Sequence, residues 1–260
     1  MDYTHRFDGR AADYAAARPS YAEGLFDCLF ERYGLAAGIP VADVGAGTGL
    51  FTEQLLKRGC IVYAVEPNDD MRHEAESRLS MYGGFISIAG DAARTGLADH
   101  SVHMVTAAQA FHWFDGEAFR RECGRILVRD GKAVIVYNRN ECSPLQDEMV
   151  AVAKRFCQDF VGGSGGVKEN DVRIADFFCG SYETLRFIND REESEQIFVR
   201  RALSASYAPT ESVIQKKYVD AVRDVFWRYC KAGKVLVRRT TWAYTSGKSI
   251  EGIFLTGLIL

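Results

Sequence analysis

The sequence contains no Cys-x-x-C pair. Its seven cysteines, at positions 28, 60, 123, 142, 157, 179 and 230, are scattered and odd in number. That argues against both a zinc spacing and a secreted disulfide framework, and a reducing cytoplasm is the expectation. There is no apolar run of the roughly 18 residues needed to cross a bilayer. The polar start, Met1-Asp2-Tyr3-Thr4-His5-Arg6, carries no apolar signal core, and the apolar stretch 253–260 is expected to pack as a strand or dock on the core. No membrane partner is expected. Nor is there an excess of one charge: a net charge of −3 and a pI near 6.0 give no general attraction to phosphate backbones. The short pairs Lys216-Lys217 and Arg238-Arg239 are expected on solvated faces, so no nucleic-acid partner is expected either. His5, His73, His100 and His103 lack metal-ligand spacing, and no internal repeat is present. The glycine tract 162–166 lacks the lysine and hydroxyl of a phosphate-binding P-loop.

What is present is an alternation of short apolar runs with helical patterns. With 260 residues, 47% of them hydrophobic, the chain can bury a substantial core. Apolar runs at 41–44, 61–65, 85–89, 102–107 and 133–137 read as buried strands, separated by segments of crossover-helix length. Residues 50–58 and 70–80 carry apolar side chains at helical spacing, and Gly59 marks the expected end of the first. Ser20 and Glu23 form a capping-box pattern for a helix over 20–33. Helices are further expected around 146–160 and 192–203, and a late strand over 235–244 pairs antiparallel with one around 182–188. The expected fold is α/β: a Rossmann-like, doubly wound, mostly parallel seven-stranded sheet with a late antiparallel strand and a helical lid inserted after the fifth strand. Residues 1–140 form the core with an N-terminal lid segment, 141–210 a helical substrate-covering insertion, and 211–260 the return to the core sheet.

The first strand ends in a glycine turn, Gly45-Ala46-Gly47-Thr48-Gly49, and Glu66 closes the second. Glycines let a chain turn sharply and bring backbone amides close to a ligand, while a carboxylate at the next strand tip accepts two vicinal ribose hydroxyls. A dinucleotide site wants Gly-x-Gly-x-x-Gly. Here Leu50 stands where the last glycine would, which disfavours the alternative of an NAD-dependent oxidoreductase.

The run from Val41 to Leu50 resembles the first motif of class I S-adenosylmethionine-dependent methyltransferases. Further matches follow in order at Val65 to Met71, at Gly90-Asp91-Ala92 and at Ala107 to Phe114. The last, with Arg6-Phe7-Asp8 and the segment Tyr14 to Pro19, is similar to the small-molecule branch that includes methyltransferase type 11 and trans-aconitate methyltransferase-like proteins. The resemblance is strong over residues 6–140 and only general beyond. It implies S-adenosyl-L-methionine as cofactor and contacts from Tyr14, Arg18, Asp43, Gly45, Ala46, Gly47, Thr48, Gly49, Glu66, Pro67, Met71, Asp91, Ala92 and Gln109. Physically, Asp43 can orient the turn, Met71 can lie against an adenine face, and Asp91 can accept from the adenine amino group. Tyr14 and Arg18 resemble a lid, with the Tyr14 hydroxyl near the methyl and Arg18 facing a carboxylate.

Methyl transfer is an in-line displacement that rests mainly on holding the two reacting atoms about 3 Å apart. His112 is the candidate base because it lies after the fourth strand and an imidazole suits proton removal near neutrality. Phe111 and Trp113 are expected to wall the substrate pocket beside it. The Asp/Asn-Pro-Pro-aromatic motif of nucleic-acid amino-methyltransferases and the Pro-Cys nucleophile of cytosine C5 chemistry are both absent. The expected activity is therefore methylation of a small molecule, with oxygen of a carboxylate or hydroxyl favoured. A non-catalytic S-adenosylmethionine-binding module is the remaining alternative. Arg155, Arg173, Arg186 and Arg200 are the candidates for receiving an anionic acceptor; the oligomeric state is not written in the sequence.

Overall fold

The structure, a computed structural model, describes residues 18–162, 167 and 171–246. Tyr14, the segment 253–260 and most of the glycine tract lie outside the described residues. In chain order the first half runs α1 (Glu23–Arg32), β1 (Pro40–Val44), α2 (Leu50–Lys57), β2 (Ile61–Val65), α3 (Asp69–Leu79), β3 (Phe85–Ile88), β4 (Val102–Ala108), a 3₁₀ turn (Phe111–Trp113), α4 (Gly116–Ile126) and β5 (Leu127–Asn140). The second half adds α5 (Pro144–Phe156), α6 (Val172–Phe177), β6 (Glu183–Ile188), β7 (Arg191–Ser194), α7 (Glu195–Leu203), α8 (Ser212–Tyr229), β8 (Lys234–Val237) and β9 (Arg239–Thr245).

Seven strands form one sheet in the order β3-β2-β1-β4-β5-β9-β6. The first five are parallel, and β9 runs antiparallel between β5 and β6. The buried runs such as Ile61–Val65 thus lie inside a sheet covered on both faces, as parallel pairing requires. Strand order reverses between β1 and β4, which opens a crevice beyond their carboxyl ends.

Helix starts are set by side chains that satisfy orphan N–H groups. Asn68 Oδ1 accepts from Met71 N at 2.9 Å ahead of α3, and Asp115 Oδ1 accepts from Glu117 N and Ala118 N at 3.0 Å ahead of α4. Ser143 caps α5, whose first position is Pro144. The expected capping box of α1 is not formed: the helix begins at Glu23 with Ala22 at the cap and no side-chain bond. Glu23 pairs with Arg58 instead, and the Ser20 hydroxyl accepts from Gln54 Nε2 at 3.3 Å. Tertiary partners outcompeted the local motif.

Apolar clusters fill both faces of the sheet, with Phe111, Phe119, Phe177 and Tyr244 on one side and Leu25, Phe26, Phe51 and Leu55 on the other. A third cluster, built by Leu145, Phe198, Tyr218, Val222, Phe226, Val235 and Val237, packs α5, α7 and α8 against the small β7–β8 ribbon. The helical cover therefore draws on α8 and β8 as well as on 141–210, while β6 within that segment belongs to the main sheet. The run 235–244 also differs from the single strand expected. It breaks at Arg238, so that β8 pairs with β7 and β9 with β5 and β6. No helix of the described residues is long and apolar enough to cross a membrane.

Candidate functional site

The crevice at the switch point holds two adjoining clefts. The smaller, about 320 Å³, is bordered by Asp43, Gly45, Ala46, Gly47, Thr48, Glu66, Pro67, Met71, Asp91, Ala92 and Gln109. The sequence named all of these. Gly47 has φ 57° and a side chain there would meet nothing within 4 Å, so the backbone lies open to the cleft. Gly49 does not border it. With φ 78° it starts α2 and passes so close to Leu79 of α3 that a Cβ would sit 2.4 Å from Cδ1. Its expected cofactor contact is replaced by helix packing.

The carboxylates occupy three different environments. Glu66 is 9% exposed; its Oε2 accepts from Gly47 N at 2.8 Å and its Oε1 from Asn68 N at 2.9 Å. Burial raises its pKa, against the pull of those two N–H groups. Asp43 is fully buried, and Thr52 and Thr106 donate their hydroxyls to its Oδ2 and Oδ1 at 2.6 and 2.8 Å. Burial pushes its pKa up to about 6, and its bonds tie β1 to α2 and β4. Asp91 is exposed, and its Oδ1 accepts from Ala93 N and Arg94 N, both at 2.8 Å. Thr48 Oγ1 is buried with no hydrogen-bond partner.

The larger cleft, about 730 Å³, runs from the same crevice under the helical cover. Tyr21, Leu50, Gln109 and Trp113 border both clefts. Gln109 is held at φ 57° by bonds from its backbone N to Val136 O (2.8 Å) and from Nε2 to Asn138 O (3.0 Å). His112 borders the larger cleft, where its backbone N donates to the Tyr137 hydroxyl at 3.1 Å and its Nδ1 lies 3.3 Å from the same oxygen. The hydroxyl accepts from the backbone N–H, and its role toward Nδ1, donor or acceptor, follows the ring tautomer. Burial, and then the charges of Arg173 and Arg18, pull the His112 pKa down to about 4. The imidazole is therefore uncharged at neutral pH.

Two further expectations change. Phe111, expected to wall the substrate pocket, borders neither cleft; it is 3% exposed and packs edge-on against Phe177 at 5.2 Å between ring centres. Arg18 borders the larger cleft rather than the smaller, with Nη2 donating to Ser204 O at 3.4 Å.

The arginines named for an anionic acceptor lie elsewhere. Arg155 and Arg200 are exposed, Arg173 forks onto Asp171, and Arg186 stacks 4.0 Å over Trp242. The ones bordering the cleft are Arg18, Arg139, Arg201 and Arg239. Arg239, expected on a solvated face, is 2% exposed. The alternation of Val235 and Val237 ends with β8, and the burial of Arg239 is set by the start of β9 in the other sheet.

A doubly wound sheet with a glycine turn, a strand-tip acid and a crevice at its switch point defines a Rossmann-like, nucleotide-binding class of fold. Residues 42–135 match the family model described as a methyltransferase domain. An uncharacterized methyltransferase-like protein of Schizosaccharomyces pombe is 30% identical over 155 residues, 59% of each chain. The chain spans little more than half the length of the curated relatives it matches, 55% for an uncharacterized methyltransferase of Mycobacterium bovis. A solved structure from Anabaena variabilis, described as a methyltransferase from an antibiotic biosynthesis pathway, superimposes with a TM-score of 0.62 at 19% identity, covering 87% of this chain and 98% of that one. Phosphoethanolamine N-methyltransferase 2 of Haemonchus contortus, solved with phosphomonomethylethanolamine and S-adenosylhomocysteine, superimposes with a TM-score of 0.55 at 13% identity over 96% of this chain and 60% of that chain. Residues 42–135 thus match a methyltransferase domain, on a fold shared with solved methyltransferase structures.

Proposed function

We propose that this protein transfers the methyl group of S-adenosylmethionine to an already ionised oxygen, favouring a carboxylate, on a small acceptor. The observation that carries this reading is the joining of two clefts at Gln109 and Trp113, one bordered by the glycine turn and Glu66 and one bordered by arginines. The smaller cleft suits the cofactor. Its buried Thr48 hydroxyl lacks an acceptor or donor, and the open face of Gly47 leaves room for a ligand. Glu66 would accept the ribose hydroxyls, Met71 would lie against the adenine, and Asp91 with Ala92 would meet its edge. S-adenosylmethionine supplies a sulfonium-activated methyl group when bound.

The residues around the larger cleft then have to orient the acceptor and exclude water. A neutral His112 with its pKa lowered to about 4 can donate a hydrogen bond from its protonated ring nitrogen but is a poor base. A carboxylate needs no base, since it is ionised at neutral pH. Trp113 borders both clefts and would shield the transfer from solvent. The cysteines, scattered along the sequence and odd in number, support a cytoplasmic setting for a chain acting on soluble metabolites.

Two measurements test the proposal. Calorimetric titration with S-adenosylmethionine, S-adenosylhomocysteine and NAD in parallel should show micromolar binding of the first two; binding of NAD alone would overturn the cofactor assignment. With a turnover assay in hand, His112→Gln should keep kcat within about tenfold and leave it flat between roughly pH 6.5 and 9, because general-base catalysis is worth about 10²–10⁴-fold. A larger loss tied to a titration near neutrality would restore the base. Cofactor binding with no turnover on any small acid would instead favour a binding module.

A further inference from the structure

Arg239 opens β9 at the wall of the larger cleft. It is fixed on three sides: its backbone N donates to Asp190 Oδ1 at 2.9 Å, Nε to Asn140 Oδ1 at 3.1 Å and Nη2 to Glu193 Oε1 at 3.2 Å. The remaining nitrogen, Nη1, is buried and has no hydrogen-bond partner. A charged donor buried without an acceptor costs free energy that an arriving anion would offset.

The charge count around it points the same way. Glu193, 4% exposed, is shared with Arg201, whose Nε lies 3.1 and 2.8 Å from its two oxygens. Two guanidinium groups on one carboxylate leave one positive charge uncompensated. Of the other charged groups bordering the cleft among the described residues, Arg18 and Arg139 are cationic and only Asp159 is anionic. Among the described residues, the charged groups bordering the cleft thus sum to a positive charge in a chain whose net charge is −3. Burial and the neighbouring Arg201 pull the Arg239 pKa down to about 10, which leaves it charged at neutral pH.

We propose that the Arg239 end of the larger cleft is an oxyanion subsite, holding a carboxylate or phosphate group of the acceptor away from the atom that is methylated. The subsite rests on the larger cleft being the acceptor site, and it fixes the acceptor's orientation by a charge remote from the reacting oxygen. Arg239 is a substrate-binding residue in this scheme, and Glu193 sets its position.

Titration of the full chain with glutarate and with inorganic phosphate tests it, and the tighter of the two names the source of the oxyanion. Wild type should bind one of them, Arg239→Met should weaken that binding at least tenfold, and S-adenosylmethionine affinity should stay within twofold. Glu193→Gln should bind the anion at least as tightly as wild type, since it removes the competing carboxylate and leaves both arginines. If Arg239→Met fails to fold, Arg239→Lys and Glu193→Gln decide. No binding of either anion by wild type, unchanged affinity in a folded Arg239 variant, or lost affinity in a folded Glu193→Gln would each overturn the subsite. Anion binding without S-adenosylmethionine binding would sink the methyltransferase reading and leave the subsite standing.

Discussion

Glu66→Ala should weaken S-adenosylmethionine binding by about 1–3 kcal/mol, roughly five- to 150-fold. The carboxylate sits at the tip of β2 with its two oxygens already held by Gly47 N and Asn68 N. Each oxygen keeps a further lone pair for a ribose hydroxyl. Because burial raises the pKa of Glu66, the ionised form depends on those donors. The ligand's hydroxyls would add two more, so binding should favour ionisation. Truncation leaves the ligand hydroxyls and two backbone N–H groups without their acceptor. Calorimetry on the variant, with circular dichroism to confirm that it is folded, measures the loss. Affinity within twofold of wild type would remove Glu66 from the site.

Asp43→Ala should instead unfold more easily, by about 2–4 kcal/mol. It strands the Thr52 and Thr106 hydroxyls in a fully buried position and opens a small cavity. Urea denaturation reads the change, and Asp43→Asn, which keeps the volume and one of the two acceptor oxygens, should cost less. The pH dependence has a definite sign. The pKa of Asp43 rises from 3.8 to about 6 on folding, so its stabilising contribution is complete below 3.8 and is lost as pH rises through 6. The stability of wild type relative to Asp43→Asn should therefore fall between roughly pH 4 and 6. A difference that does not change with pH would show that Asp43 folds with an ordinary pKa. If Asp43→Ala stays as stable as wild type but loses the cofactor, Asp43 contacts the ligand rather than supporting the turn.

The contrast between Glu66 and Asp43 shows why some of the site was legible in the sequence. Both are acids at strand ends, and both border the smaller cleft. Strand-tip placement follows from local pattern, because a short apolar run followed by glycine or proline fixes where the strand stops. What each carboxylate touches does not follow. Thr52 and Thr106 come from α2 and β4, and only the packed sheet brings them to Asp43. Phe111 and His112 are adjacent in sequence, yet the 3₁₀ turn sends one into the core beside Phe177 and the other to the larger cleft. Helix α8 presents Lys216 and Lys217 to solvent, as expected, but buries Tyr218, Val222, Val225 and Phe226 on its other face against partners distant in the chain.

The sequence by itself determined the parallel strands from β1 to β5, the glycine turn and the strand-tip acids that border the smaller cleft. These are set by residues close together in the chain, through continuous apolar runs, glycine geometry and helix caps. Only the tertiary structure decided the acceptor side. The Arg239–Glu193–Arg201 cluster joins β9, β7 and α7, and the larger cleft exists because the cover closes over β4 and β5. Those contacts span up to about a hundred residues, and burial at such distances depends on which surfaces meet, a quantity no local pattern encodes.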